Sequence, residues 1–171
     1  FCLGFSFEIS DNLFKPNRSM TRPMKAILFV LTLYFLISCS QFRPAAQIYE
    51  RTSPYSFEDT LLNLDIAISE QNYRIIHRSH IGQAVRDRGD DDFPLATITN
   101  FCNITYAKEM MQINPQLINE MPCFISVRQS GSDGVVVSTK LMDEDVADTK
   151  QSEFAKKINL NLKTIIGATI E

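Results

Sequence analysis

The sequence predicts one small domain built from both helices and strands. Segments in which apolar residues recur at every second position, typical of strands, are interspersed with segments of helical period from residue 56 onward. A strong turn signal at residues 130–134 separates two strand-like segments and predicts a hairpin. Residues 39–171 also have the length of a single domain. We therefore expect a mixed fold with one core.

The first part of the chain is typical of a lipoprotein leader. Residues 1–23 show no sustained period and predict upstream, non-structural sequence, with Met20 and Met24 as candidate start sites. The uncharged run over residues 26–37 is too short to cross a hydrocarbon layer of about 30 Å as a helix. It ends in Leu36-Ile37-Ser38-Cys39, which matches the pattern where bacterial lipoproteins are cleaved and acylated.

We therefore predict that residues 24–38 are a signal peptide and that Cys39 is acylated. This places the protein in the bacterial cell envelope, attached to a membrane by its N-terminal lipid and facing the periplasm, with the outer membrane as the expected site. The alternatives are an uncleaved membrane anchor, a buried core strand, or ordinary signal cleavage nearby.

The charge balance argues against nucleic acid as a partner. The whole chain has a formal net charge of −3, and the leader carries more basic than acidic residues, so the predicted mature part is more acidic. Proteins that bind nucleic acid usually present a basic face, and the region after the leader contains no cluster of Lys and Arg residues.

The domain is expected to begin after a short linker. Residues 39–54 are polar and without a period, which predicts a tether, so the domain is placed at residues 55–171. Ser56 predicts a helix start, because its hydroxyl can cap the first turn and Asp59 follows three residues later. The helix is expected to end near residues 71–72, and its apolar stripe comprises Phe57, Leu61, Leu64 and Ile68.

The other elements follow the same kinds of signal. A short helix is predicted at residues 80–85, ending at Gly89. The last helix is expected to stop at Gly167, and its stripe comprises Phe154, Ile158, Leu162 and Ile165. Strand-like segments, rich in β-branched and aromatic residues, cover residues 73–78, 95–101, 123–128 and 135–139.

The centre of the chain predicts a capped helix. Asn103 is the expected N-cap, because its side-chain oxygen can accept a hydrogen bond from a first-turn amide; Thr105 is the alternative. The helix should end at Asn114, because the following proline disfavours helical geometry there. The apolar stripe of this helix comprises Ile104, Tyr106, Ala107, Met110 and Met111.

Cys102 and Cys123 are candidate functional thiols. Cys102 lies at the N-terminal end of the central helix, where the positive potential favours a thiolate. The alternative is a small buried hydrophobe, as free cysteine often is. If the helix is a crossover, the two cysteines lie at opposite ends of the sheet, beyond the roughly 7 Å Cα separation that a disulfide allows. A different strand order would bring them together.

Two further groups of residues are possible ligand sites. His77 and His80 are the histidines of the chain, but no carboxylate or cysteine completes a set by local spacing, so no metal site is predicted. Arg86 and Arg88 are a candidate anion site, because guanidinium groups bind carboxylate and phosphate well. Pairing with the neighbouring aspartates on a solvated loop is the alternative.

The order of these features resembles a bacterial family, domain of unknown function 302. The resemblance extends from about Tyr55 to Val137 and implies a small α+β domain with an antiparallel sheet and helices packed on one face, of the TATA-binding-protein-like type. It implies no catalytic residues, and the fold does not imply DNA binding. The residues that carry it are Phe101-Cys102-Asn103, Tyr106-Ala107, Pro115 and Met121-Pro122-Cys123.

The function predicted from these observations is binding rather than catalysis, with no cofactor. The expected partner is a small ligand or a protein, held in a groove lined by Tyr106, Met110, Met111 and Phe124; ordinary core packing is the alternative for these residues. The competing hypothesis is a thiol, redox or metal-linked protein that uses Cys102 and Cys123. The sequence leaves the oligomeric state open, a homo-oligomer included.

The lipid anchor predicts the behaviour of one variant. Cys39→Ser removes the acylated thiol, so we expect the domain to be released from the membrane fraction without unfolding. Fractionation of cells, with circular dichroism of the released protein, measures both effects. A variant that stays firmly in the membrane fraction would show that residues 26–37 are an uncleaved anchor.

Overall fold

The computed structural model describes residues 47–131 and 134–171, and all structural statements concern these residues. The predictions for residues 1–23, for the signal peptide at 24–38 and for Cys39 lie outside them. Among the described residues, no helix combines the length and the apolar character needed to cross a membrane.

The described residues form five strands, four α-helices and one 3₁₀ helix. The strands are β1 (Ile48–Ser53), β2 (Arg74–His80), β3 (Ala96–Cys102), β4 (Cys123–Gln129) and β5 (Val135–Lys140). The helices are α1 (Phe57–Glu70), α2 (Ile81–Arg86), α3 (Ile104–Ile113) and α4 (Thr149–Ile170), and the 3₁₀ helix covers Pro115–Glu120.

The strands form a single antiparallel sheet in the order β1-β5-β4-β3-β2. Helices α1 and α4 pack against each other and against one face of this sheet. Alternate residues of β3 and β4 point into that interface: Thr97, Thr99 and Phe101 are buried, as are their neighbours Ile125 and Val127. The predicted α+β fold is therefore confirmed.

The predicted start and buried face of α1 are confirmed. Ser56 is the N-cap, and its hydroxyl oxygen accepts a hydrogen bond from the Asp59 amide at 3.0 Å. Phe57, Leu64 and Ile68 are buried, whereas Leu61 is half-buried at the margin of the core. Asn72 adopts a left-handed conformation with φ 64°, which ends the helix where the sequence predicted.

The predicted tether is wrong over Ile48–Ser53, which forms β1. This strand pairs with β5 along its whole length, from Ile48 opposite Lys140 to Ser53 opposite Val135. It is an edge strand, and most of its side chains are exposed, so it does not need the apolar alternation by which buried strands are found. The carbonyl of Gln47 also accepts a hydrogen bond from the Leu141 amide at 2.8 Å, and the tether prediction for residues 39–46 lies outside the described residues.

Two other predictions about helices need correction. Gly167 does not stop α4, which continues to Ile170 because Ile165, Ile166 and Thr169 are buried and offset the cost of a helical glycine. In α3, the buried side chain is Met110, while Ile104 points into solvent with 81% of its surface exposed. The apolar stripe predicted for α3 is thus wrong at Ile104 and at Met111, which is 41% exposed.

Candidate functional site

The antiparallel sheet brings the two candidate thiols to the same end of neighbouring strands. Phe101 of β3 lies opposite Cys123 of β4, so Cys102, the next residue, is adjacent to that pair. The crossover geometry that places the cysteines at opposite ends of the sheet is therefore wrong. Both cysteines are free thiols.

Asn103 holds the start of α3 beside these thiols. As predicted, its side-chain oxygen caps the helix, accepting hydrogen bonds from the amides of Thr105 (2.9 Å) and Tyr106 (3.2 Å). Its side-chain amide donates to the carbonyl oxygen of Asn72 at 2.9 Å. Asn103 thus connects the start of α3 to the turn that follows α1, and Cys102 is the residue next to this connection.

Aromatic rings close the space around the thiols. The Tyr73 ring meets the Phe101 ring edge-on at 5.4 Å between centroids and lies 5.8 Å from the Tyr106 ring. What is left is a cavity of about 20 Å³, the thiol cavity, which holds no more than one water molecule. Its lining comprises Tyr73, Cys102, Asn103, Tyr106, Ala107, Met110, Met121, Cys123, Phe154 and Ile158.

Burial makes Cys123 a poor nucleophile at neutral pH. Desolvation of the thiol, followed by the neighbouring Cys102, raises the pKa of Cys123 from 9.0 to about 11. The thiolate is the nucleophilic form, and a thiol with this pKa is almost wholly protonated at pH 7. Cys123 therefore behaves as a small apolar side chain.

A larger cavity lies where β4 and β5 separate. These strands pair only from Ser126 opposite Ser138 to Gln129 opposite Val135. The beginning of β4, Cys123 to Ile125, continues beside β3, while β5 continues beside β1 as far as Lys140. The strands therefore form a fork, within which the Thr139 hydroxyl donates a hydrogen bond to the Phe124 carbonyl at 2.5 Å. The cavity beside it, bordered by the start of β4, the end of β5 and α4, is the fork cavity and measures about 270 Å³.

The wall of the fork cavity is mostly apolar. Its floor is α4, which contributes Ile158 and Leu162, and its end is closed by the residues that follow the 3₁₀ helix, Met121 and Pro122. The other lining residues are Asn100, Met110, Asn119, Glu120, Cys123, Phe124, Lys140 and Met142. Four of these residues, Met110, Met121, Cys123 and Ile158, also line the thiol cavity.

The side chain of Asn159 binds the backbone that follows β5. Its side-chain oxygen accepts a hydrogen bond from the Met142 amide at 2.8 Å, and its side-chain nitrogen donates to the Met142 carbonyl at 3.0 Å. The same nitrogen lies 2.8 Å from a carboxylate oxygen of Glu144. Asn159 is only 1% exposed, so the backbone of Met142, beyond the end of β5, finds its hydrogen-bonding partners on α4.

The rim of the fork cavity carries one ion pair. The Lys140 ammonium lies 3.0 Å from a Glu120 carboxylate oxygen. Lys140 is the last residue of β5 and Glu120 the last of the 3₁₀ helix, so the pair joins the two segments that border the opening. Both side chains are partly exposed, at 41% and 37%.

The four residues predicted to line one groove lie in different parts of the structure. Met110 lines both cavities, Phe124 lines the fork cavity and Tyr106 lines the thiol cavity. Met111 belongs to neither lining and is 41% exposed on the outer side of α3. A groove formed by all four residues together is therefore not what the structure shows.

The histidines and arginines are engaged separately. His77 lies 3.1 Å from the Ser79 hydroxyl, and His80 lies 3.2 Å from the Thr97 hydroxyl. Arg86 donates to the Phe93 carbonyl, and Arg88 donates to a backbone carbonyl of α2. In the part of the chain that the structure describes, no group of three or more His, Cys, Asp or Glu residues is placed to hold a metal. The anion site at the two arginines stays a prediction.

Sequence reasoning missed the residues that shape the fork cavity, Asn159 above all. A signal for Asn159 exists, because it lies four residues after Ala155 and three before Leu162, on the buried stripe of α4. A polar residue on such a stripe needs a hydrogen-bonding partner. No sequence pattern predicts the pair of Lys140 and Glu120, because the two residues are 20 positions apart and meet only in the folded domain.

Comparisons with known proteins agree with this architecture. The family model described as "Domain of unknown function DUF302" matches residues 49–169. Among solved structures, the crystal structure of an uncharacterized conserved DUF302 protein from Bacillus stearothermophilus is similar, with a TM-score of 0.65 and 16% sequence identity. The match covers 72% of this chain and 98% of that chain, and at this identity it shows the fold alone. No curated protein matches.

The Asn159 contacts predict a large loss of stability on truncation. Asn159→Ala leaves the buried amide and carbonyl of Met142 without partners, so we expect the free energy of unfolding to fall by about 2–4 kcal/mol. Urea denaturation measures this loss. The control is Asn161→Ala, which removes a single 3.1 Å contact with the Tyr73 hydroxyl and should cost about 1 kcal/mol. Equal losses in the two variants would contradict the role assigned to Asn159.

The raised pKa of Cys123 predicts how stability depends on pH. The folded state holds the thiol proton more tightly than the unfolded chain does, so this contribution is complete below pH 9 and is lost as pH rises through about 11. We expect the free energy of unfolding to fall by roughly 1–3 kcal/mol over that interval, and less in Cys123→Ala. The pKa of Tyr73, raised mainly by burial from 10.0 to about 12, adds a loss between pH 10 and about 12. Because burial is its largest cause, both proteins share most of this loss.

The low reactivity expected of the Cys123 thiol is tested by alkylation of the folded protein at pH 7. Iodoacetamide should modify Cys123 far more slowly than a free cysteine, as followed by mass spectrometry of the intact chain and its peptides. Fast modification of Cys123 at mildly acidic pH would contradict the packing interpretation and support a redox role.

Proposed function

The chain belongs to the DUF302 family, and from that premise we propose that its domain is a non-catalytic binding module for a small apolar ligand, held at the bacterial cell envelope by a lipid on Cys39. The ligand lies in the fork cavity. The observation that carries this proposal is a mostly apolar cavity of about 270 Å³ beside the point where the pairing of β4 and β5 ends.

The chemistry of the wall supports binding of hydrocarbon. Met110, Met121 and Met142 contribute unbranched, polarizable side chains, which adapt to ligands of different shape. Ile158 and Leu162 of α4 add branched apolar surface below them. Each methylene group that such a wall removes from water contributes about 0.8 kcal/mol, so a short hydrocarbon suffices for measurable affinity.

The size of the cavity supports a small ligand rather than a protein segment. A volume of about 270 Å³ is just below the range of roughly 300–1,000 Å³ typical of small-molecule sites. The thiol cavity beside it is more than ten times smaller and holds no organic ligand. The ligand therefore contacts Cys123 and Met121 from the fork side only.

A lipid anchor on Cys39 would give such a domain a supply of apolar ligands. Acylated residues place a domain beside the membrane, where molecules with low solubility in water concentrate. The anchor itself is a proposal that stands on the residues Leu36-Ile37-Ser38-Cys39.

The second candidate is a thiol-based function, and one observation favours it. Cys102 and Cys123 are free and lie at the same end of adjacent strands. Against it stands the raised pKa of Cys123, which keeps that thiol protonated at neutral pH. We therefore place binding first.

The binding proposal is tested with a matched pair of variants. Met121→Trp puts a large ring into the fork cavity, whereas Met111→Trp makes the same exchange on the exposed side of α3. We expect wild type to bind the neutral dye N-phenyl-1-naphthylamine saturably, with 1-decanol as a competitor. Met121→Trp should weaken binding by about tenfold, since overfilling a packed site costs typically 1–3 kcal/mol, and Met111→Trp should not.

Fluorescence of the dye measures the affinity, and circular dichroism confirms that both variants are folded. The chain contains no tryptophan, so each variant carries a single one, whose emission reports directly on dye bound nearby. Absence of saturable binding to wild type, or an equal loss in the two folded variants, would overturn the proposal.

A further inference from the structure

The rim of the fork cavity identifies the chemical class of the ligand. Resting on the proposed function, we infer that the ligand is a free single-chain carboxylic acid whose carboxylate binds Lys140 in place of Glu120. The hydrocarbon chain occupies the fork cavity and the acid group lies at its opening.

Charge and apolar surface are segregated in this cavity. The side chains deep in it belong to Met110, Ile158 and Leu162, which are at most 3% exposed. Lys140 and Glu120 supply the charged groups of the lining, and both are partly exposed at the rim. Polar atoms of a ligand would lose their bound water deep in the cavity without gaining hydrogen bonds there. The polar group of a ligand is therefore expected at the rim.

Lys140 is the group that selects an acid. Its ammonium is held within reach of the opening by β5, which ends at that residue. A carboxylate is the small polar group that pairs best with an ammonium, through a charge-assisted hydrogen bond. Asn100 and Asn119 also line the cavity. The Asn119 side-chain nitrogen donates to the Gln116 carbonyl at 2.9 Å, so the side-chain amide of Asn100 is the better placed donor for the second carboxylate oxygen.

Glu120 acts as the competitor that the ligand replaces. Its carboxylate already occupies the position on Lys140, at 3.0 Å, that a ligand acid requires. A pair as exposed as this one contributes only about 0.2–1 kcal/mol, so exchanging one carboxylate for another costs little. Glu120 lies at the exposed end of the 3₁₀ helix and turns into solvent once it is released.

The volume of the fork cavity fits a ligand with a single hydrocarbon chain. About 270 Å³ accommodates a single hydrocarbon chain of moderate length, whereas the two chains of a membrane phospholipid exceed it. We therefore assign the site to a free acid rather than to a phospholipid in the membrane.

The test compares two ligands that differ only at the polar end, decanoate and 1-decanol. Both displace N-phenyl-1-naphthylamine from the full chain carrying Cys39→Ser, which lacks the predicted acylation site and its hydrocarbon. We expect decanoate to bind this protein, which is wild type at every residue of the fork cavity, severalfold more tightly than decanol at pH 7.5. Lys140→Gln should remove this preference, and Glu120→Gln should raise it by about fivefold by removing the competing carboxylate.

A second ion pair provides the control. Lys157 and Glu109 form a 2.7 Å pair between α4 and α3, and neither residue lines the fork cavity. Lys157→Gln removes one positive charge from the chain without changing the rim, so the preference for decanoate should be that of wild type. Loss of the preference in this variant would show that net charge, not Lys140, attracts the acid.

The outcomes separate this inference from the proposed function. If decanol binds but decanoate binds no better, or if Lys140→Gln keeps the preference, the inference is overturned while the apolar site stands. If neither ligand displaces the dye from wild type, the proposed function fails. Sedimentation with phosphatidylglycerol vesicles that requires Lys140 would assign the site to a membrane lipid and overturn the assignment to a free acid.

Discussion

The candidate site depends on the backbone of Met142 being bound by a helix instead of a strand. Asn159 satisfies both the amide and the carbonyl of that residue, and its own side chain is buried. A buried amide that lost these partners would cost roughly 1–3 kcal/mol for each group. Continued in register, β5 would bring Met142 opposite Pro122, which has no N–H to offer the Met142 carbonyl. The backbone of Met142 therefore takes both of its partners from α4, and the fork cavity lies between this segment, α4 and the start of β4.

The consequences of this contact extend to the opening of the cavity. Lys140 is paired with Ile48 of β1, lies beyond the last residue pair between β5 and β4, and reaches the end of the 3₁₀ helix with its ammonium group. The ion pair with Glu120 then links the two borders of the fork. An apolar interior and a charged rim thus arise from the same strand separation, and neither is an independent addition to the fold.

The features that the sequence predicts well are local ones. Ser56 and Asn103 cap helices as expected, because a cap depends on amides only two or three residues away. The order of strands in a sheet depends on residues far apart in the chain, so only the structure shows that Cys102 is adjacent to Cys123. Edge strand β1 was missed because exposed strands lack an apolar pattern. The resemblance to DUF302 gave the fold class but carried no information about the site.

The thiols and the fork cavity are physically connected through Cys123, which lines both cavities. Burial raises its pKa to about 11, so at neutral pH the wall between them is a neutral thiol. A thiolate at this position would put a charge against Met110 and Ile158, where water is excluded, and would oppose the entry of hydrocarbon. The desolvation that makes Cys123 a weak nucleophile is therefore the same property that keeps the fork cavity apolar. The burial of Cys123 thus both suppresses its thiol chemistry and leaves the fork cavity suited to hydrocarbon.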